Sequence, residues 1–421
     1  MPDKNKKILI VTESIDINDS SAAKGKIALI ENLHSLNFDI NVLHYTPKDI
    51  FLKDIRCKRI EERKLNINYV LSRIQRVLQR LLKINFSKPL EHIFGFSFTY
   101  FNDVNSIKKA VKIELKEQSY DLIITLSKGA SFRVHKALLG LEMTYKKWMA
   151  YMHDPYPFCY YPEPHNWNEA GYKQKIKFFE KVSKTAKYAA FPSQLLQEWM
   201  SQYFPSFNNT GVIIPHQTKY ELHLVEKLPE YFDIKKFTLL HAGNLLKQRD
   251  PQGLIEGFQL FLQKNPEAEA ESSLLLLGPG NYHEKNILNY KKDCPQLYWS
   301  NGNVDFDIVY KIQLECSINI ILEAKAEVSP FLPGKFPHCI AANKPILHLG
   351  PEHSETRRLL GKDYPYYAEI DDAERIAQII EDLYHHWKED SSKMTLNRSD
   401  LEHYLGVNYL YDQITKCLNY S

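Results

Sequence analysis

At 421 residues the chain exceeds what one hydrophobic core usually supports, which points to two domains. A formal net charge of +3 is too small to argue for nucleic acid as a partner. The six cysteines, at 57, 159, 294, 316, 339 and 417, form no CxxC pair, which excludes a zinc signature and a close-spaced disulfide framework and leaves inert thiols in a reducing compartment. No apolar run reaches the roughly 18–20 residues needed to cross a bilayer. The opening residues read as a first strand rather than a signal peptide, so the expected location is cytoplasmic.

Taken in chain order, a short apolar run at 6–11 is followed by helical periodicity through Ile27, Ile30, Leu33 and Leu36, then by another apolar run ending at Tyr45. This is a β-α-β pattern. Runs of the same kind recur at 121–127, 147–154, 187–193 and 210–216. Short continuous apolar strands alternating with helices predict a parallel sheet covered on both faces. The expected first domain is 1–226. Residues 227–236 lack an apolar period and contain Pro229, as a linker would. The strand-helix order then restarts at 237 and continues to 397, a second domain of the same α/β class. The segment 398–421 predicts one last amphipathic helix through Val407, Leu410, Tyr411, Ile414 and Leu418.

Residues 51–90 interrupt the alternation as a basic, helical insertion. Leu71, Ile74, Val77, Leu78, Leu81 and Leu82 share one helical face, bordered by Arg73, Arg76, Arg80 and Lys83. Such a helix either docks on an anionic lipid surface or lays its apolar stripe on the domain beneath it.

Parallel sheets bind ligands at the carboxyl ends of their strands, where helix N-termini and glycine turns present N–H groups to anions. After the first strand, Ser20, Ser21, Ala22 and Ala23 are small enough to admit a ligand or to cap the next helix, and no GxGxxG is present. His153 and Asp154 follow another strand and open a loop rich in tyrosine and proline; a sugar-contacting His and a proton-accepting Asp are the functional expectation there, and a packed structural loop is the plainer one. Ser193, at a strand-helix junction, reads first as an N-cap. In the second domain Gly243 and Asn244 close a strand, and Arg249 stands before Asp250-Pro251, which can start a helix. Lys335 follows Pro333-Gly334 at the entrance to a helix ending near Asn343. A guanidinium and an ammonium held at such places suit a diphosphate.

These two stretches resemble the nucleotide-binding half of the GT-B glycosyltransferases of family four, the retaining, glycogen-synthase-like clan. Gly243 matches the family's glycine, Asn244 stands where its Arg is common and Arg249 where its Lys is common. Lys335 matches the lysine of the second element, with Ala341, Ala342 and Pro345 behind it and Asn343 in place of a glycine. The family's paired glutamates fall at Pro330 and His338, neither a carboxylate. Gly278 and Gly280 resemble the family's strand-end glycine turn, and Asn303 and Val304 the loop bordering the nucleotide base.

The resemblance implies two Rossmann-like domains facing a cleft and a C-terminal helix. It implies transfer of a sugar, with retention, from a UDP- or GDP-sugar to a glycan or lipid-linked hydroxyl, in bacterial surface-polysaccharide or glycolipid synthesis. Arg249 and Lys335 would do a metal ion's work, so no cofactor and no metal is expected. The site set is then His153, Asp154, Arg249 and Lys335 for catalysis, with Gly243, Asn244, Gly278, Gly280, Asn303, Val304 and His338 around the donor. Action at the inner face of a membrane is the expectation that follows from 51–90. The competing readings are a GT-B binding protein without turnover, suggested by Pro330 and His338, and a nucleotide-sugar epimerase.

Overall fold

The structure, a computed structural model, describes residues 6–17, 21–83, 87–218 and 227–419. The chain divides into two compact units: Met1–Tyr161 with Asn166–Lys219 and Leu405–Ser421, and Pro162–His165 with Tyr220–Tyr404. Each is a parallel α/β unit.

In the first unit the chain runs through β1 (Lys7–Thr12), α1 (Ser21–Ser35), β2 (Asp39–His44), β3 (Arg56–Arg59), α2 (Ile67–Leu82), α3 (Ser87–Phe94), α4 (Phe98–Glu117), β4 (Leu122–Leu126), β5 (Trp148–Tyr151), β6 (Tyr188–Phe191) and β7 (Gly211–Ile213). The strands form one sheet in the order β3-β2-β1-β4-β5-β6-β7, every pair parallel. Alternation along β1 shows why a strand buried on both faces reads as a continuous apolar run: Leu9 and Val11 enter one core, Ile8 and Ile10 the other. The second unit repeats the plan with β8 (Phe237–Ala242), β9 (Ser272–Leu277), β10 (Leu297–Trp299), β11 (Ile318–Leu322), β12 (Val328–Ser329), β13 (Ile346–Leu349), β14 (His353–Ser354) and β15 (Tyr367–Ala368). Its main sheet, again parallel, has the order β10-β9-β8-β11-β13-β15. Leu274 and Leu276 of β9 point into one core and Leu275 and Leu277 into the other.

Two expectations about organisation change, and one reading left open is narrowed. The supposed linker packs into the second unit, because Phe232 is buried against Leu240 and Leu275 and Tyr231 stacks on Tyr298 at 4.1 Å. Two aromatic anchors suffice where no period exists. The C-terminal segment forms two helices, Ser399–Leu405 and Val407–Asn419. The second returns to the first unit, with Leu410, Ile414, Cys417 and Leu418 joining the core that holds Ile8 and Ile10. Finally, the apolar stripe of α2 does not pack on the domain. Its buried residues are Ser72 and Gln75, while Ile74, Val77, Leu78, Leu81 and Leu82 face outward. The helix is seated by polar bonds instead. Asn66 accepts from the Tyr69 amide as N-cap and donates to the Asn102 side chain, and Gln75 and Gln79 donate to Ser87 of α3.

Candidate functional site

In both parallel sheets the strand order turns once about a central strand: β2 and β4 flank β1, and β9 and β11 flank β8. A reversal of this kind opens a crevice beyond the carboxyl ends of the two central strands. In the second unit those ends deliver Gly243 and Glu323, the residues that follow β8 and β11.

Gly243 has φ +143°, and a Cβ placed there would lie 3.3 Å from Lys335 Nζ. The bare backbone therefore makes room for the ammonium. Lys335 Nζ sits 3.1 Å from His241 Nδ1 and 3.3 Å from Nε2. Burial holds the Lys335 pKa down to about 7; the Arg249 guanidinium adds to the fall and the Cys339 thiol opposes it. His241 lies well below its ordinary value through burial first, then Lys335 and Arg249, so its neutral ring accepts from the ammonium. Arg249 is itself lowered by burial, partly offset by the Glu323 carboxylate.

Lys335, His241 and Arg249 thus act on one another, and Glu323, which sequence reasoning overlooked, acts on Arg249. Burial pushes Glu323 up, but hydrogen bonds from His348 (Nε2–Oε1 2.8 Å) and the Ser329 hydroxyl win and hold it below the ordinary carboxylate range. Pro330 and His338 stand where the family's glutamates fall, and the carboxylate that acts on Arg249 is Glu323, seven residues before Pro330. Its only sequence signal was an acid at the carboxyl end of an apolar strand, the same signal that picked out Asp154.

The remaining donor-side candidates fall around this group. The Gly243 amide donates to Leu277 O, and a Cβ at Gly278 (φ +150°) would strike Gly243 O at 2.3 Å, so Gly278 allows the two strand-end turns to touch. Gly280 does similar work against Leu245 and Trp299. The Gly278 amide donates to Ser300 Oγ, which donates to Gly302 O, tying down the 301–304 turn. Within that turn Asn303 is exposed and Val304 packs beside Leu240 and Leu277. Asn244 is exposed. Asp250 accepts from the Gln252 amide (3.0 Å) at the start of helix Gln252–Lys264. His338 is held edge-on between the rings of Phe306 (5.3 Å) and Tyr310 (5.5 Å). Helix Phe336–Ala341 ends with Asn343 at φ +51°, the left-handed position where a glycine is common and Asn is tolerated. The Asn343 side chain accepts from the Asn397 amide at 2.8 Å, a bond no glycine could make.

In the first unit His153 lies two residues beyond β5, its ring stacked on Tyr151 at 4.5 Å and 6.5 Å from the parallel ring of His216. Its Nε2 is sheltered from solvent without a hydrogen-bond partner among the described residues. Burial, then Lys26, His216 and His135, keep its pKa well below the ordinary value, so it is neutral at physiological pH. Burial raises Asp154 to about 6, within range of a general base. The aromatic loop beyond spends its faces internally: Phe158 stacks on Trp167 (4.1 Å), Tyr160 on Tyr203 (3.9 Å), and Tyr156 is core. Ser193 caps its helix, accepting from the Leu196 amide at 3.2 Å. At the β1 strand end, Ser20 and the side chains of Ser21 and Ala22 lie outside the described residues, and Ala23 is buried. What the structure places there is a network sequence reasoning missed: Glu13 accepts from the Ser131 hydroxyl and Arg133 Nη1, and Arg133 Nε lies 3.0 Å from Asp103.

Neither a protein-family model nor a curated protein sequence matches the chain. Solved structures do match. HepE of Anabaena, crystallised in complex with UDP and glucose, shares 13% identity at a TM-score of 0.60, covering 99% of this chain and 100% of that one. A UDP-forming α,α-trehalose-phosphate synthase from Burkholderia vietnamiensis shares 10% at 0.64, with both chains covered in full. A glycosyltransferase from Rickettsia africae shares 13% at 0.55, covering 96% of this chain and 98% of that one. At these identities the likeness is one of fold, and the fold is the GT-B fold of such enzymes.

Proposed function

We propose that this GT-B chain transfers a sugar from a UDP- or GDP-linked donor to a hydroxyl of a glycan or lipid-linked acceptor. One observation carries the reading: Arg249 and Lys335, far apart in sequence, meet at the β8/β11 strand ends beside a glycine that leaves the backbone bare. Two cations in a place sheltered from water stabilise the charge that grows on a leaving diphosphate, and they need no reorganisation to do so. Gly278, Gly280, Asn303 and Val304 would shape the nucleotide pocket, with Asn244 at its rim and His338 beside the ribose. We assign His153 to the sugar being transferred and Asp154 to the acceptor proton, with retention at the anomeric carbon. The setting we favour is surface-polysaccharide or glycolipid synthesis at the inner face of a membrane.

Thermal shift tests the donor claim. A nucleotide-sugar at a hundred times its dissociation constant adds about 2.7 kcal/mol to stability, so UDP- or GDP-sugars should raise the melting temperature, and a panel in which none does removes the reading. Because the two cations take the role of a divalent ion, transfer is expected to persist in EDTA; loss of turnover that Mg²⁺ or Mn²⁺ restores would contradict this.

A proton should move with the donor. Lys335 starts near a pKa of 7, and a diphosphate beside it favours the charged form, so its pKa rises on binding. Between that value and the bound one, binding takes up about one proton. Titration calorimetry at pH 8 in buffers of different ionisation enthalpy should show this uptake, and Lys335→Met should abolish it. For folding the sign is opposite: the unfolded lysine titrates at its ordinary value, so folding releases a proton from pH 7 upward and the ligand-free protein gains stability as pH rises.

A further inference from the structure

We infer that α2 is an interfacial docking surface for an anionic phospholipid bilayer. The inference deepens the lipid-linked side of the proposed function and rests on that reading only for its biological purpose.

The evidence is the orientation of α2. A surface helix ordinarily buries its apolar stripe and exposes its charges. Here the polar edge of Ser72 and Gln75 is turned inward, and the stripe is left in water. Ile67 and Leu81 are each 73% exposed and Ile74 49%, joined by Val70, Leu78 and Leu82. At helical spacing these residues fill an arc of about 120°. Ile93 and Phe94 of α3 are exposed as well. Residues 65–90 hold five Lys or Arg and no Asp or Glu. Arg73, Arg76 and Arg80 are exposed and form a separate arc of α2, flanking the apolar one.

An apolar arc bordered by arginines fits the boundary between headgroups and acyl chains, where long cationic side chains reach back to phosphate. The charge also selects between occupants. A second copy of the chain seated antiparallel on the same patch by two-fold symmetry would bring Arg73, Arg76 and Arg80 against their own images. An anionic leaflet meets them with the opposite sign. Docking of this kind lies on the membrane rather than across it: among the described residues no helix is long and apolar enough to span a bilayer.

Flotation of the full chain with phosphatidylcholine vesicles, with and without phosphatidylglycerol, tests the inference. The unaltered protein should float with the anionic vesicles and release in high salt. Each cation near such a surface is worth about fivefold in partition, so Arg73→Gln/Arg76→Gln/Arg80→Gln should lower binding on the order of a hundredfold. Ile74→Asp/Leu81→Asp should fail to float. Both variants alter exposed side chains, and an unchanged melting temperature and nucleotide-sugar shift confirm that they are folded. Three results overturn the inference: no flotation of the parent, equal flotation with neutral vesicles, or self-association in solution that Ile74→Asp/Leu81→Asp abolishes. Nucleotide binding is read without vesicles, so failure of the donor reading and failure of this one are separate outcomes.

Discussion

Lys335→Ala is expected to lower kcat/KM for sugar transfer by on the order of 10²–10³, the range seen when one preorganised electrostatic donor is removed from an active site. The ammonium is held by burial, by the His241 ring at 3.1 Å and by the space a glycine leaves at 243. Alanine removes charge and reach together. Stability should move the other way, because deleting a lysine whose pKa is depressed removes a group that folding penalises at neutral pH. A variant that melts no lower than the parent yet no longer responds to nucleotide-sugars is the expected signature. Lys335→Arg should rescue poorly, since the planar guanidinium must fit where Nζ already lies 3.3 Å from the position of a Gly243 Cβ. Gly243→Ala attacks the same contact from the other side, at a φ of +143° that disfavours a side chain. Steady-state kinetics with thermal shift checks all three, and full activity in Lys335→Ala would falsify the diphosphate assignment.

The second large effect is on stability. Glu323→Ala should destabilise the second unit by about 3–5 kcal/mol, because it removes one partner of a buried charged cluster and strands the rest. His348 Nε2 and the Ser329 hydroxyl lose their acceptor, and Arg249 loses the carboxylate that offsets its burial. Denaturant unfolding followed by tryptophan fluorescence reads the loss. Glu323→Gln keeps an acceptor oxygen and should lose less, but it cannot balance Arg249, so donor affinity should change even where the fold is kept. The pH dependence follows from the lowered pKa of Glu323. Its contribution is complete above the ordinary carboxylate value and is lost as pH falls through the folded one. Equal acid stability of the parent and Glu323→Gln would count against this.

Much of the architecture was legible in the residues alone. Continuous apolar runs such as Leu274–Leu277 announce strands buried on both faces, and their alternation with helical periods requires a parallel sheet. Ser193 was readable as a cap because capping is a local bond, and Lys335 because it stands at a strand-to-helix passage. Orientation and convergence were not readable. Periodicity shows that α2 has an apolar stripe, but Asn66, Gln75 and Gln79 decide that its polar edge is the one held inward. His241, Glu323 and His348 carry no shared motif. They are gathered with Arg249 and Lys335 because β8, β11 and β13 lie side by side, and that order depends on pairing across sequence, as of Ile318 with Leu239 and Asn319 with Ile346. The sequence by itself therefore determined the two α/β units and the cations at their strand ends, since those depend on local pattern. Which charges face one another, and which face of α2 meets water, only the tertiary structure decided.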